Sequence, residues 1–165
     1  MADIVIRPVA GEDDIATVRR LMQAYGQYLE NNPGGAANIC LEGYAHELER
    51  LPEGYILLLL ARVDEVAAGC VGLRQIDRQE RACEMKRLWV DASFRGLRLG
   101  RLLVEAAIAW AQQQRFEAMY LDTVPAAMPE ASRLYEAIGF MPVERYNKNP
   151  LAGVVFFRRD LQKSA

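Results

Sequence analysis

The stretch Leu88-Trp89-Val90-Asp91-Ala92-Ser93-Phe94-Arg95-Gly96-Leu97-Arg98-Leu99-Gly100-Arg101-Leu102-Leu103 carries the chain from a β-type apolar run through a polar turn into a glycine- and arginine-bearing loop. An apolar-periodic helix then begins. Strand, glycine loop and helix, in that order, make an anion site from backbone alone. Gly96 and Gly100 leave room for main chain to approach a ligand, and the first N–H groups of the helix lack acceptors within it and lie at the positive end of its dipole. Phosphate is the expected guest; the plain alternative is a turn that only joins strand to helix. No Gly-Lys-Ser/Thr follows, and the glycine spacing is not that of a dinucleotide fingerprint, which removes two other phosphate loops.

Outward from this stretch, hydrophobic periodicity predicts the remaining elements. Asp3 to Val9 alternates as a strand. Ile15, Val18, Met22, Tyr25 and Leu29 recur at helical spacing with Asp13 and Asp14 in the first turn, and Pro33-Gly34-Gly35 ends the pattern. A shorter helix carries Leu41, Tyr44, Leu48 and Leu51. The apolar run Tyr55 to Ala61 reads as a strand covered on both faces, Asp64-Glu65 as a two-residue turn, and Val66 to Ile76 and Ala82 to Val90 as the next strands of a meander. A helix over Arg98 to Gln114 then presents Leu99, Leu103, Ala106 and Trp110 on its inner face and leads to a parallel strand, Met119 to Val124. Pro129 starts a last helix with an inner stripe of Ala131, Leu134 and Ile138 and a stop at Gly139, followed by a hairpin of Phe140 to Arg145 and Val154 to Leu161.

With 165 residues, 52% of them hydrophobic, the chain fits one domain spanning 1–165. Twenty Lys and Arg against 22 Asp and Glu give a net charge of -2, so no overall field favours nucleic acid or an anionic membrane surface. No run approaches the roughly 18 uncharged residues of a membrane span. An odd set of cysteines, Cys40, Cys70 and Cys83, in or beside apolar segments points to the cytoplasm rather than to a secreted disulfide framework. His46 stands alone, without the second nitrogen or thiolate that a metal site needs, so no metal is expected.

Cys83 to Leu103, followed by Pro129-Glu130-Ala131-Ser132-Arg133-Leu134-Tyr135-Glu136-Ala137-Ile138-Gly139-Phe140, resembles the GCN5-related N-acetyltransferase (GNAT) family. The family's pyrophosphate motif is Arg/Gln-x-x-Gly-x-Gly/Ala; Arg95, Leu99 and Gly100 occupy matching places, and Arg98 stands at its first glycine. The helix ending Leu-Tyr-x-x-x-Gly-Phe matches at Leu134 to Phe140, and Met128 stands where the family often has asparagine. The resemblance implies an α/β fold: a mixed sheet of six to seven strands flanked by about four helices. The Ala82–Val90 and Met119–Val124 strands would splay at a bulge to admit the pantetheine arm of acetyl-CoA. Leu88, Trp89 and Val90 would offer main-chain groups to that arm and to the thioester carbonyl, while Arg95, Gly96, Leu97, Arg98, Leu99, Gly100 and Arg101 would hold the pyrophosphate.

The implied activity is transfer of an acetyl group from acetyl-CoA to a primary amine by direct attack in a ternary complex. Tyr135 resembles the family's general acid, with a core tyrosine as the alternative. Glu84, on the strand lining the slot, is the candidate base, against a solvated carboxylate beside Lys86 and Arg87. A thiol route through Cys83 is rejected because no histidine lies near it in sequence. The acceptor, a small molecule or peptide amine, would meet Tyr25 to Leu41 and Tyr146 to Gly153, which offer Tyr25, Tyr28, Glu30 and Tyr146. A homodimer stays open as a partner arrangement. The competing reading, motivated by Arg98 and Met128, is a coenzyme-binding module of the same fold without turnover.

Overall fold

Asp64 and Glu65 take φ of 49° and 71°, the pair of positive values that a mirror-image two-residue hairpin turn demands. That turn sets Val63 opposite Val66 and fixes the register of the first hairpin. In the computed structural model, which describes residues 1–31, 43–78 and 80–162, the apolar runs form one seven-stranded sheet. Its strands are β1 (Ile4–Pro8), β2 (Leu57–Val63), β3 (Val66–Ile76), β4 (Ala82–Val90), β5 (Ala118–Thr123), β6 (Met141–Val143) and β7 (Val155–Asp160). They lie in the order β1-β2-β3-β4-β5-β7-β6, antiparallel except for β4 with β5. That pair is parallel because a helix, not a turn, joins it. Strand β2 begins two residues later than the apolar run predicts, because Tyr55 N–H is held by the Pro52 carbonyl at 3.1 Å in the preceding turn.

The helices are α1 (Gly11–Glu30), α2 (Tyr44–Glu49), α3 (Leu99–Gln113) and α4 (Pro129–Ile138). Pro33-Gly34-Gly35, Cys40 and Leu41 lie outside the described residues. The buried stripe of α3 is Leu99, Leu103, Val104, Ala107, Ile108 and Ala111, rotated from the predicted one; Ala106 and Trp110 flank it, with Trp110 stacked on Phe116 at 6.3 Å. The reason is packing: the small residues Ala107 and Ala111 let α3 sit close on the sheet, which pushes the indole to the rim. In α4 likewise, Ser132 and Tyr135 are the buried residues, and Ala131, Leu134 and Ile138 are half-buried. Gly139 ends α4 at φ 105°, the left-handed stop expected of glycine.

The helices cover opposite faces of the sheet. Leu103, Val104 and Ile108 of α3 pack with Leu59, Val71, Cys83, Met85, Met119 and Leu121, whereas Val18, Leu21 and Met22 of α1 pack with Leu58, Leu60, Cys70 and Trp89. Truncating a fully buried leucine such as Leu103 to alanine removes about 2–5 kcal/mol.

One break in this sheet matters most. β4 and β5 pair only from Ala82 to Glu84 against Ala118 to Tyr120. On its other side, Lys86 pairs with Gly72 and Trp89 with Cys70, so Arg87 and Leu88 together oppose Val71. This is a β-bulge, with Arg87 at φ 63°. It bends β4 away from β5 and leaves the β5-facing edge of residues 85–90 unpaired.

Candidate functional site

Three adjoining hollows follow that opening. The first lies at the start of α3. Asp91 accepts Ser93 N–H at 2.9 Å, a short 3-10 turn (Ala92–Phe94) follows, Gly96 turns at φ 90°, and Arg98 precedes α3 at φ 58°, ψ 29°. The backbone ladder begins with Leu102 N–H to the Arg98 carbonyl at 3.1 Å, so the N–H groups of Leu99, Gly100 and Arg101 come before it and have no helical acceptor. A Cβ on Gly100 would meet Leu134 at 3.4 Å, which narrows the gap between α3 and α4.

Leu88, Trp89, Val90, Arg95, Gly96, Arg98, Leu99 and Gly100 line this hollow, of about 490 Å³. Two of the predicted set do not. Leu97 is drawn into a cluster with Val63, Ala68 and Leu99. Arg101 pairs with Glu105 at 3.0 Å on the exposed side, since one residue past Gly100 lies a further ~100° round the helix. Both can offer the hollow main chain only.

Leu88, Met128 and Ala131 are shared with the second, central hollow, where Tyr135 stands beside Met85. Tyr135 is buried, with its ring 5.9 Å from Phe140 and 6.4 Å from Phe157, so it is both a core tyrosine and a cleft-lining one. Burial raises its pKa well above that of an ordinary phenol, and the neighbouring Tyr25 and Asp122 push it the same way. It therefore holds its proton at neutral pH. Met128 sits at the start of α4 with no side-chain cap bond; its carbonyl accepts Ser132 N–H at 3.3 Å.

Lys86, Arg87, Asp122 and Asn149 connect the centre to the third hollow, of about 590 Å³. Its floor follows from strand register. Arg74, Glu84 and Tyr120 form one row across β3, β4 and β5, and Lys86 and Asp122 lie two residues further along, on the same face. Glu84 is not the solvated carboxylate of the alternative reading. It is buried, accepts the Tyr146 hydroxyl at 2.5 Å and Asn147 Nδ2 at 3.2 Å, and lies 3.7 Å from Lys86 Nζ. Asp122 accepts Asn147 Nδ2 at 2.5 Å and lies 3.6 Å from the same ammonium. Burial, followed by the charge and hydrogen bond of Glu84, drives the Tyr146 pKa far upward.

The bulge is anchored from α2. Arg87 donates to both Glu47 oxygens at 2.9 and 3.1 Å, Arg74 Nη2 donates to Oε1 at 2.6 Å, and the Tyr55 hydroxyl donates to Oε2 at 2.8 Å. Burial works to raise the Glu47 pKa, but the Arg87 hydrogen bonds and the charges of Arg87 and Arg74 outweigh it and hold the carboxyl down at about 2.

Sequence reasoning missed Asp122, Lys86 and Asn147. The available signal was a charged residue at the end of the apolar strand Met119 to Val124, and another two places after Glu84, where period-two alternation puts both on one face. Of the predicted acceptor residues, Tyr146 lines the third hollow, Tyr25 the centre and Tyr28 the first, while Glu30 lies exposed at the end of α1. Burial pushes the Cys83 thiol up to about 12, which leaves it inert as a nucleophile at neutral pH. His46 is exposed, 3.9 Å from Glu49. Among the described residues no group of three or more His, Cys, Asp and Glu is arranged to hold a metal, and no helix is long and apolar enough to cross a membrane.

A family model described as the acetyltransferase (GNAT) family matches residues 18–140. Over 108 residues the chain is 39% identical to an uncharacterized N-acetyltransferase of Schizosaccharomyces pombe; the match takes in 65% of this chain and 65% of that protein, less than two thirds of its length. The fold is similar to that of a GNAT-family acetyltransferase of Staphylococcus aureus, at 19% identity and TM-score 0.75, with 97% of this chain and 100% of that one covered. It is also similar to a GNAT-family N-acetyltransferase of Escherichia coli solved in complex with CoA, at 20% identity and TM-score 0.65, covering 96% and 82%.

Proposed function

We propose, because the chain belongs to the acetyltransferase (GNAT) family, that this cleft transfers an acetyl group from acetyl-CoA to a primary amine by direct attack, donor and acceptor bound together in one domain. The observation that carries the reading is continuity: one line of shared residues runs from the N–H groups at the start of α3, past Tyr135, to the carboxylates Glu84 and Asp122.

The residues present fit a coenzyme with a phosphate head and a thin amide-bearing arm. Leu99, Gly100 and Arg101 N–H, with Arg95 and Arg98 beside them, suit pyrophosphate, while Leu97 contributes backbone. The unpaired edge of Leu88, Trp89 and Val90 suits the arm as an added strand would. Acetyl-CoA supplies, when bound, an activated acyl carbon and a thiolate leaving group, so that one N–C bond forms and one C–S bond breaks. Tyr135, which burial keeps protonated, donates its O–H proton to the departing sulfur. Glu84 and Asp122 receive the proton that the amine loses, and Lys86 and Asn147 orient the two carboxylates.

Mixing the purified protein with acetyl-CoA and a panel of primary amines should release free thiol. Tyr135→Phe should lower kcat by about 10²-fold or more, with acetyl-CoA binding by calorimetry retained. Binding without thiol release across the panel would support the coenzyme-binding module instead, and absence of binding would remove both readings.

A further inference from the structure

Charge in the third hollow is divided into two poles, and we propose that the acceptor is a primary amine bearing an anionic group, a carboxylate or phosphate, held by Arg74 while the amine faces Glu84 and Asp122. This rests on the reading of the cleft as an acetyltransferase site. The negative pole is the pair Glu84, buried, and Asp122, half-buried, which share the single ammonium of Lys86. It borders the central hollow, where the reacting amine must arrive.

The positive pole lies on β3. Glu47 is one carboxylate answering two guanidiniums, and Arg87 takes both of its oxygens. Arg74 is left with one bond to Oε1 and a long one, 3.2 Å, to the Tyr55 hydroxyl; its Nε is buried and has no hydrogen-bond partner among the described residues. Two guanidiniums on one carboxylate leave a net positive charge, and an oxyanion reaching Arg74 from the hollow is the ligand that balances it. Two further cations line the same hollow: Arg78, lying over the Tyr120 ring at 4.7 Å, and Lys148 of the β6–β7 loop. Asp77 is the rim's counterweight.

A ligand entering this hollow meets Arg74, Arg78 and Lys148 as well as Glu84 and Asp122, whose two charges Lys86 only half offsets. An alkylamine satisfies only the carboxylates, and a diamine sets a second cation against Arg74. An amino acid or aminoalkyl phosphate satisfies both, and about 590 Å³ gives it room.

The test compares amines of equal length, one to six methylenes long: the alkylamine, the ω-amino acid, the aminoalkyl phosphate and the diamine, each with acetyl-CoA and thiol detection. We expect kcat/KM at least about tenfold higher for one anionic series than for the alkylamines, with diamines poorest. The carboxylate and phosphate arms identify the anion. Arg74→Gln should bring the ratio of anionic to plain amine towards one, and Arg74→Lys should keep part of it. Should the Gln variant fail to fold, Lys148→Gln on the exposed rim should lower the ratio while circular dichroism stays native. Alkylamines and diamines used as well as amino acids would overturn the inference and leave the acetyltransferase reading standing. No thiol release from any amine would overturn both.

Discussion

The two ends of the cleft are built from different material. The end at the start of α3 comes from consecutive residues, Leu88 to Arg101, and contributes chiefly main chain: three N–H groups ahead of the helical ladder and an unpaired strand edge. The far end comes from side chains brought together over long separations: Tyr146 with Glu84, Asn147 with Asp122, and Arg87 with Glu47 are 62, 25 and 40 residues apart. A main-chain site survives most substitutions because every residue type carries an N–H. A side-chain site rests on single functional groups. Mutation should therefore separate the two ends cleanly.

The largest effect is expected at Asp122. Asp122→Asn keeps the shape but removes the charge beside Lys86 and, on the proposed reaction, the carboxylate nearest the centre that can take the amine's proton. It should lower kcat/KM for the amine by about 10²–10⁴-fold, while the Kd for acetyl-CoA by calorimetry changes less than about twofold. Glu84→Gln is its partner experiment. If Glu84→Gln abolishes turnover and Asp122→Asn does not, Glu84 alone takes the proton and Asp122 only positions Lys86. Weakened acetyl-CoA binding in either variant would break the contrast between the ends.

Glu47 tests the support beneath the far end. Glu47→Gln leaves Arg74 and Arg87 without their counter-charge in a half-buried setting, and a loss of about 3 kcal/mol in denaturant unfolding is expected. The pH dependence gives a second readout. With its folded pKa depressed to about 2 from an ordinary 4.5, Glu47 contributes stability that is full above about pH 4.5 and is lost as pH falls through 2. Between those limits the variant should unfold with a flatter pH dependence than the parent chain. An unchanged acid limb would show that the two guanidiniums do not hold this carboxylate.

The same contrast explains what could be seen in the sequence. Leu88 to Gly100 is contiguous, so its strand, loop and helix could be recognised with no knowledge of tertiary contacts, and the splay of β4 from β5 lies where the resemblance implied it. Tyr135 was visible for the same reason, as part of one helix. Errors arose wherever a neighbour decides the outcome. Trp110 fits the helical period but is displaced by the tighter packing of Ala107 and Ala111. Leu97 belongs to the motif but its side chain is claimed by an apolar cluster, and at Glu84 the choice between candidate base and solvated carboxylate was left to Tyr146, which covers it only in the folded chain. Asp122 and Asn147 meet only in the folded chain, so no local pattern could pair them.

The smallest expected effect lies at the one donor-end position where side chain and backbone disagree. Arg98 takes φ 58°, a left-handed conformation costing a residue with a Cβ about 1 kcal/mol and glycine nearly nothing. This accounts physically for the glycine of the motif. Arg98→Gly should therefore raise unfolding stability by roughly 0.5–1 kcal/mol in denaturant titrations. The guanidinium it removes is exposed and screened, worth at most about 1 kcal/mol to a phosphate, so the Kd for acetyl-CoA should rise no more than about fivefold at physiological salt. Stability up and binding nearly unchanged would mean that main chain carries the phosphate end. A loss of binding beyond about tenfold, shrinking as salt is added, would mean that arginine charge has taken over the work of the motif's glycine, and the two ends would then be alike in depending on side chains.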